Sequence, residues 1–272
     1  MIPLSVISVD AGKSYITHNM LKSLLALGLD VDIIILCNHK NEYLDTLQEF
    51  NKSVKFIYDF DLVKNIFDMH KQHMVSVIKL LNYVKTDFVF LCDNDVIFTE
   101  KFKSYLDLYY NYDIIAQLEN MDHLIKYFVK DIWMYDNKIT APNEDASNIY
   151  VNNPYYNNLK LYSNSNNIYV YKSIDNFYIK ALQRFLPYHI FFNYSKIKKY
   201  PLFDNKFECG YSVDKRSIFD SFSTITYNAI KNHLNILYTD FSAAVKHIRS
   251  ATWYRSRTQY DNRLKELNLL PQ

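Results

Sequence analysis

The amino-acid sequence predicts an α/β fold, a three-layer α/β/α sandwich around a central mixed, mostly parallel sheet. Through residues 1–117, apolar runs typical of buried strands alternate with segments that carry apolar residues at helical spacing. The links between them are short, which favours parallel strands with right-handed crossovers. No internal repeat and no obvious linker interrupts the 272 residues, so we expect one domain.

The first half is regular enough for each element to be placed. Strands are predicted from short apolar runs at residues 4–9, 31–37, 54–58, 88–92 and 113–117. Helices are predicted between them at residues 17–27, 41–50, 68–84 and 101–110. Gly28 follows the first helix in the position where helices commonly end on glycine.

The second half has a looser pattern. The segment 136–167 is rich in Asn, Pro, Ser and Tyr, which predicts long loops with short strands. Beyond it, the sequence predicts helices at residues 175–186, 214–235 and 261–270 and strands at residues 188–193 and 237–240.

The composition excludes some classes of function. The net charge is only +2, so the chain lacks the broad basic surface expected of a nucleic-acid-binding protein. No apolar run approaches the ~20 residues that a membrane-spanning helix needs. The cysteines at positions 37, 92 and 209 have no metal-ligand spacing, and the first residues lack the basic region of a signal peptide. We therefore expect a protein of the reducing, cytoplasmic compartment.

Two carboxylates directly follow the predicted strand 88–92. Asp93 and Asp95 are two positions apart, so an extended chain directs both side chains to one side. Neighbouring anions repel each other unless a cation lies between them, and Mg²⁺ or Mn²⁺ prefers such oxygen ligands. Asp-Asn-Asp is also good turn chemistry, because these side chains bond to their own backbone. Apolar residues on both sides, at 91–92 and 96–98, favour a cation site at the edge of the core.

With Asp93-Asn94-Asp95 closing its fourth strand, the chain resembles the nucleotide-sugar-dependent glycosyltransferases of the GT-A type, which carry an Asp-x-Asp element there. A second resemblance lies downstream, where the segment from His247 to Trp253 is similar to a His-containing, Trp-ending element of that family. The resemblance implies a GT-A-like fold with a nucleotide-sugar-binding half, 1–117, and an acceptor-binding half, 118–272. It also implies Mn²⁺ or Mg²⁺ held by Asp93, Asp95 and His247. Relatives often have glycines between the His and the Trp, whereas this chain has Ile-Arg-Ser-Ala-Thr.

The same resemblance implies which residues bind the donor. The end of the first strand would meet the nucleobase and ribose, and the Asp-x-Asp element would meet the diphosphate; these residues are Val9, Asp10, Ala11, Asp93, Asn94 and Asp95. Asp59 matches a position that faces the uracil imide, which favours a UDP-sugar, although Asp59 is also a common turn residue. The predicted helix carrying Lys71 and His73 would lie along the nucleotide, although Lys71 also suits a solvated helix surface.

A base for the acceptor hydroxyl is expected in the second half of the chain. Asp214 stands at the start of a predicted helix, where the resemblance implies a carboxylate that would take the proton in an inverting reaction. The same position suits a helix N-cap, and Glu208 is a second candidate. Gly12-Lys13-Ser14 does not form a phosphate-binding loop, because Ile7 stands where the pattern needs a glycine.

Together these observations predict a metal-dependent glycosyltransferase, a hexosyl- or pentosyltransferase. It would move a sugar from a nucleotide-sugar, with UDP-sugar favoured, to a hydroxyl of a glycan or other acceptor. A nucleotidyltransferase of similar fold is one alternative, but such enzymes usually carry a glycine-rich basic loop after the first strand, and only Gly12-Lys13 suggests one here. A non-catalytic module that binds glycans or nucleotide-sugars is the other alternative.

Overall fold

The computed structural model describes most of the first half of the chain and parts of the second. The described residues are 3–106, 112–118, 149–151, 159–163, 169–172, 178–180, 185–203, 210–211, 217–219, 222, 225, 228–229, 232, 234–238, 244–248 and 256–269.

The strands in these residues, in chain order, are β1 (Leu4–Asp10), β2 (Asp32–Cys37), β3 (Lys55–Tyr58), β4 (Phe88–Cys92), β5 (Val96–Phe98), β6 (Ile114–Leu118), β7 (Ile149–Val151), β8 (Leu159–Ser163), β9 (Tyr169–Lys172), β10 (Tyr178–Lys180), β11 (Phe185–Asn193), β12 (Gly210–Tyr211), β13 (Ser217–Phe219), β14 (Ile236–Tyr238) and β15 (Val245–His247). The helices are α1 (Ser14–Leu25), α2 (Met69–Leu81), α3 (Phe102–Tyr105), α4 (Tyr194–Ile197) and α5 (Arg257–Glu266), with a 3₁₀ helix at Leu44–Phe50.

The central sheet has seven strands in the order β14-β6-β11-β4-β1-β2-β3. The pairs β1–β2, β1–β4, β2–β3 and β14–β6 are parallel, whereas β11 is antiparallel to both of its neighbours, β4 and β6. The predicted mixed, mostly parallel sheet is therefore confirmed. Strand β4 runs through its middle as five consecutive buried residues, as expected for a strand covered on both faces.

Helices cover both faces of the sheet, which gives the predicted three layers. One apolar cluster joins Met20 and Leu24 of α1 to alternate residues of β1, including Leu4 and Val6. On the other face, a second cluster joins residues of α2, such as Val77, to the intervening residues of β1. The alternation follows from the period of two along a strand, which directs successive side chains to opposite faces.

Most predicted elements of the first half are observed with small shifts at their ends. The helix predicted at 41–50 is the 3₁₀ helix Leu44–Phe50, and the one predicted at 101–110 is described only as Phe102–Tyr105. Gly28 has a left-handed φ of +63° just beyond α1, in agreement with its expected role as a helix stop. Helix α5 begins earlier than predicted, at Arg257, because the Oγ of Ser256 accepts a hydrogen bond from the N–H of Gln259 as its N-cap.

Of the helices predicted in the second half, the one at 175–186 is wrong and the one at 214–235 is observed only in part. Residues 178–180 of the predicted helix 175–186 form β10, which pairs with β9 in a four-stranded antiparallel sheet, and Phe185 begins β11. Residues 217–219 of the predicted helix 214–235 form β13, which pairs with β12, whereas the described residues 222, 225, 228 and 229 of the same segment are helical. In both places pairing with the preceding strand overrides the local helical pattern. Of the segment 136–167, strands β7 and β8 agree with the short strands expected, and the rest lies outside the described residues.

The described helices include none with the length and apolar character needed to cross a membrane.

Candidate functional site

The parallel strands of the central sheet end at one edge, and the polar residues singled out by the sequence lie there. Asp10 ends β1, Asp59 follows β3, and the Asp93-Asn94-Asp95 turn follows β4. Open α/β sheets bind their ligands at the carboxyl ends of their strands. This edge is therefore the candidate site.

The Asp93-Asn94-Asp95 turn is fixed from two sides. The Nδ2 of Asn94 donates a hydrogen bond of 2.9 Å to the Oγ1 of Thr17, a buried residue of α1. On the other side, the N–H of Ile248 donates to the carbonyl oxygen of Asp95 at 2.8 Å. The turn is thus attached both to the first helix and to the downstream segment that carries His247. Nothing in the sequence pattern of the first helix marked Thr17 as a partner of this turn.

Strand pairing brings His247 to the turn. Strands β15 and β5 form a separate two-stranded antiparallel sheet in which His247 lies opposite Val96. The Nε2 of His247 is 3.3 Å from the Oδ1 of Asp95. Asp95 is buried, and its Oδ1 accepts no hydrogen bond from the described residues. The structure therefore brings together two of the three predicted metal ligands.

This arrangement fits a shared cation in two respects. Two ligand atoms at right angles around an octahedral ion, each about 2.1 Å from it, are about 3.0 Å apart, close to the observed separation. A buried carboxylate oxygen without a donor also needs a positive partner, because desolvation of an unpaired anion is costly. An imidazole beside a carboxylate is a donor set that Mn²⁺ accepts.

Asp93 faces a different imidazole. Its Oδ1 is 3.9 Å from the Nε2 of His73 in α2, and the ring of His73 stacks on Phe222 with centroids 5.4 Å apart. Across the described part of the chain, no three His, Cys, Asp or Glu side chains are grouped so that they could hold a metal ion. The predicted set of Asp93, Asp95 and His247 is therefore not one cluster, and its metal-binding role stays a prediction.

Asp10 turns its carboxylate into the protein. It is fully buried, and its oxygens accept hydrogen bonds from the N–H of Gly12 at 3.0 Å and the hydroxyl of Ser14 at 2.5 Å. Burial raises the pKa of Asp10, while the bonds from Ser14 and Gly12 oppose that rise. The carboxylate thus fixes the short link between β1 and α1.

The neighbours of Asp10 differ in what they offer to a ligand. Val9 is buried in the core, whereas Ala11 is exposed. Gly12 has a φ of +98°, and a Cβ added there would lie 3.1 Å from the Cβ of His39. Only glycine fits this position without strain, so the backbone of the link comes close to the loop after β2.

Two further predicted donor-binding residues are Asp59, which follows β3, and Lys71, which lies at the start of α2. Asp59 accepts a hydrogen bond from the N–H of Leu62 at 3.1 Å, and its second oxygen is 3.3 Å from the Nζ of Lys79. Asp59 is therefore a partly buried turn residue with an ion pair, and contact with a nucleobase stays a prediction. Lys71 lies in the first turn of α2, half-buried, where its N–H donates to the N-cap residue Asp68. Asp214 and Glu208 lie outside the described residues.

No protein-family model matches the chain, and no curated protein matches it in sequence. Solved structures do resemble it. A 4-diphosphocytidyl-2C-methyl-D-erythritol synthase from Anaerococcus prevotii DSM 20548 has a TM-score of 0.50 at 9% identity, covering 98% of this chain and 96% of that one. An inositol-1-phosphate CTP transferase from T. maritima has a TM-score of 0.47 at 11% identity, covering 97% and 96%.

The galactosyltransferase LgtC, in complex with donor and acceptor sugar analogs, has a TM-score of 0.47 at 12% identity, covering 98% of both chains. At 9% identity, the likeness to the first of these structures, the synthase, concerns the fold alone. The predicted three-layer α/β/α sandwich is confirmed by the sheet order and the two helical layers.

Proposed function

We propose that the protein is a metal-dependent glycosyltransferase that moves a sugar from a UDP-sugar to a hydroxyl of a glycan or another acceptor. The observation that carries the proposal is the meeting of Asp95 and His247 at the carboxyl edge of the sheet, with their Oδ1 and Nε2 atoms 3.3 Å apart. A diphosphate bound beside Asp93 and Asp95 would be repelled by both carboxylates unless a cation separated them.

Asp95 and His247 are the residues that would hold the cation. When bound, a divalent cation acts as a Lewis acid that neutralises the charge developing on a departing diphosphate. Two protein ligands suit this use, because Mg²⁺ in phosphate-binding sites commonly has one or two carboxylates and completes its coordination with phosphate oxygens and water. Asp93, which is more exposed and lies beside His73, is the third predicted ligand.

The chain's own part in the reaction is to hold both reactants in line. Hydrogen bonds with Thr17 and Ile248 fix the Asp93-Asn94-Asp95 turn. The donor's anomeric carbon would therefore be oriented without movement of the carboxylates. In an inverting reaction, Asp214 is the proposed base. It would take the proton of the acceptor hydroxyl while the hydroxyl oxygen bonds to the anomeric carbon and the bond from that carbon to the diphosphate breaks. Glu208 is the second candidate, and a retaining reaction would need no base there.

The choice of UDP follows from Asp59. Uracil presents an N–H donor at its imide, and a carboxylate is an acceptor. The two oxygens of Asp59 already interact with Leu62 and Lys79, yet a carboxylate has about four lone-pair positions and can accept a further hydrogen bond. Guanine would present its donors in a different arrangement, so the two nucleotides should be distinguishable.

The nucleotidyltransferase alternative is weakened by the link between β1 and α1. Only residues 11–13 join Asp10 to Ser14, and they include a single glycine. Phosphate-cradling loops that follow a first strand need several backbone N–H groups free to face the ligand. Here the N–H of Gly12 is already donated to the carboxylate of Asp10.

A donor-hydrolysis panel tests the proposal. The protein would be incubated with UDP-glucose, UDP-galactose, UDP-N-acetylglucosamine and UDP-xylose, with Mn²⁺ or with a chelator, and release of UDP measured. We expect Mn²⁺-dependent release from at least one donor and none from the Asp95→Asn variant. Release of pyrophosphate from CTP or UTP with a sugar phosphate would identify a nucleotidyltransferase instead. Binding of a UDP-sugar without turnover, with or without an added glycan acceptor, would identify a binding module.

A further inference from the structure

Helix α5 shares an apolar cluster with residues next to the two candidate cation ligands. Tyr260 and Leu264 are both fully buried, although the helix is otherwise strongly polar. They belong to a small apolar cluster, separate from the two that cover the sheet, which we call the α5 cluster. Its buried members are Tyr15, Ile16, Ile97, Ile248, Tyr260 and Leu264.

The α5 cluster includes a near neighbour of each ligand. Ile97 is the central residue of β5, two positions after Asp95. Its strand neighbours Val96 and Phe98 belong instead to the apolar cluster between α1 and the central sheet. Ile248 directly follows His247, and its N–H donates to the carbonyl oxygen of Asp95. The β5–β15 pair therefore lies between the core and helix α5.

The β5–β15 pair has little stability of its own. Each strand has three residues, and the pair is not hydrogen-bonded into the central sheet. Two short strands are marginal in isolation, so their register depends on packing against other elements. Helix α1 supplies one contact, since the Oγ of Ser23 accepts a hydrogen bond from the N–H of Phe98 at 3.0 Å. The α5 cluster, in which Ile97 and Ile248 are grouped with Tyr260 and Leu264, packs on the side away from the main core.

We propose that α5 is a positioning element for the Asp95–His247 pair. Docking of Tyr260 and Leu264 onto Ile97 and Ile248 holds the imidazole beside the carboxylate, and a divalent cation that bridges the pair stabilises the docked helix in return. This reciprocity is required by thermodynamics, because two coupled binding events change each other's equilibrium by the same factor. The inference rests on the proposed function only in that it needs the pair to bind a divalent cation.

A set of variants tests the coupling through the affinity for Mn²⁺ alone, measured from the free Mn²⁺ signal in electron paramagnetic resonance. Leu264→Ala removes packing under α5, and we expect Mn²⁺ affinity to fall at least about tenfold. Leu264→Met conserves volume and should retain affinity within about threefold. Lys265→Ala, an exposed neighbour on the same helix, should leave it unchanged.

General destabilisation needs its own control. Leu80 is as buried as Leu264 but lies in α2, in the cluster on the opposite face of the sheet. Leu80→Ala should lower the unfolding temperature at least as much as Leu264→Ala and leave Mn²⁺ affinity unchanged. Equal losses of affinity in the two variants would mean that α5 has no special part, and the inference would be overturned.

The reciprocal measurement uses the unaltered protein, so it does not depend on whether a variant folds. Mn²⁺ should slow hydrogen exchange of the α5 amides, and Asp95→Asn should remove that effect. If the unaltered protein binds Mn²⁺ and α5 exchange does not respond, the inference is overturned while the proposed function stands. If the unaltered protein binds no Mn²⁺, the metal-dependent function and the inference both fail.

Discussion

The buried carboxylate of Asp10 stabilises the link between β1 and α1. It has no exposed surface, and it joins the end of β1 to the start of α1 through Gly12 and Ser14. Ser14 in turn accepts a hydrogen bond of 2.9 Å from the Nδ2 of Asn41, which extends the connection to the loop after β2. The contact with the nucleotide that the resemblance implied for this segment stays a prediction.

Asp10→Asn should change how stability depends on pH. Because burial raises the pKa of Asp10 in the folded state, the folded protein holds this proton more tightly than the unfolded chain does. Its contribution to stability is full below the unfolded pKa and is lost as pH rises through the folded pKa. We therefore expect the parent's unfolding free energy, relative to the variant, to decrease as pH rises above about 4. Urea unfolding of both proteins across this range measures the difference, and parallel pH profiles would contradict the expectation.

Asp95→Asn should abolish transfer and leave the fold intact. The variant keeps the shape of the side chain but loses the charge beside His247, so cation binding should fail. We expect transfer to fall at least about a hundredfold, equivalent to about 2.7 kcal/mol of activation free energy. Circular dichroism and the unfolding temperature serve as controls for folding. Transfer at the parental rate would mean that Asp95 is only a turn residue.

For single residues, the sequence predicted where the carboxylates of Asp93 and Asp95 lie but not which side chains they face. The spacing of Asp93 and Asp95 after an apolar strand placed both at the sheet edge, and that is where they are found. Their partners differ because side-chain direction within a turn depends on backbone angles that local sequence does not determine. Contacts with His73 and His247 arise from α2 and β15, which are distant in the chain.

Helix α2 begins where the sequence predicted it and ends three residues early. Asp68 occupies its N-cap and accepts hydrogen bonds from the N–H groups of His70 and Lys71, both at 2.9 Å. The predicted boundary at residue 68 therefore coincides with the cap. The Nε2 of His73, in the same helix, is 3.9 Å from the Oδ1 of Asp93, so the N-terminal half of α2 connects local structure to the candidate site.

Asp68→Ala should lower the unfolding free energy by about 1 kcal/mol, because two N–H groups lose their acceptor. Asp61→Ala is the matched control, since Asp61 is an exposed aspartate of the same loop whose ion pair with Lys64 is also exposed. The control should change stability by less than about 0.5 kcal/mol. Denaturant unfolding measures both, and equal losses would show that the cap contributes nothing specific.

The two segments that were predicted as helix and observed as strand share one cause. Residues 178–180 and 217–219 form strands because the preceding strands, β9 and β12, supply hydrogen-bond partners. Local periodicity reports amphipathic character but cannot identify a partner strand, and β-propensity depends strongly on that context. A mixed sheet was predicted, but the sequence did not identify β11 as its antiparallel strand, although its apolar run was recognised as a strand.

At the scale of the whole molecule, ligand binding should appear as added stability. UDP with Mn²⁺ should raise the unfolding temperature by several degrees, because a ligand at about 100 times its Kd adds about 2.7 kcal/mol. A chelator should remove the effect, and UDP should stabilise more than GDP if Asp59 faces the uracil imide as proposed. Differential scanning fluorimetry with both nucleotides measures it. Stabilisation by GDP and not by UDP would overturn the choice of uracil.

The position of β11 has a consequence for how the chain is synthesised. Strands β4 and β6 do not pair with each other; each pairs with β11, which ends at Asn193. On a ribosome, β4 therefore emerges with one unpaired edge of five apolar residues, and residues 119–193 take about 4 to 15 s to follow at ordinary translation rates. An open apolar edge is prone to pair with another chain. Until β11 is made, the nascent protein can therefore aggregate through the unpaired edge of β4. A fragment ending at residue 118 lacks β11, so this edge would stay unpaired.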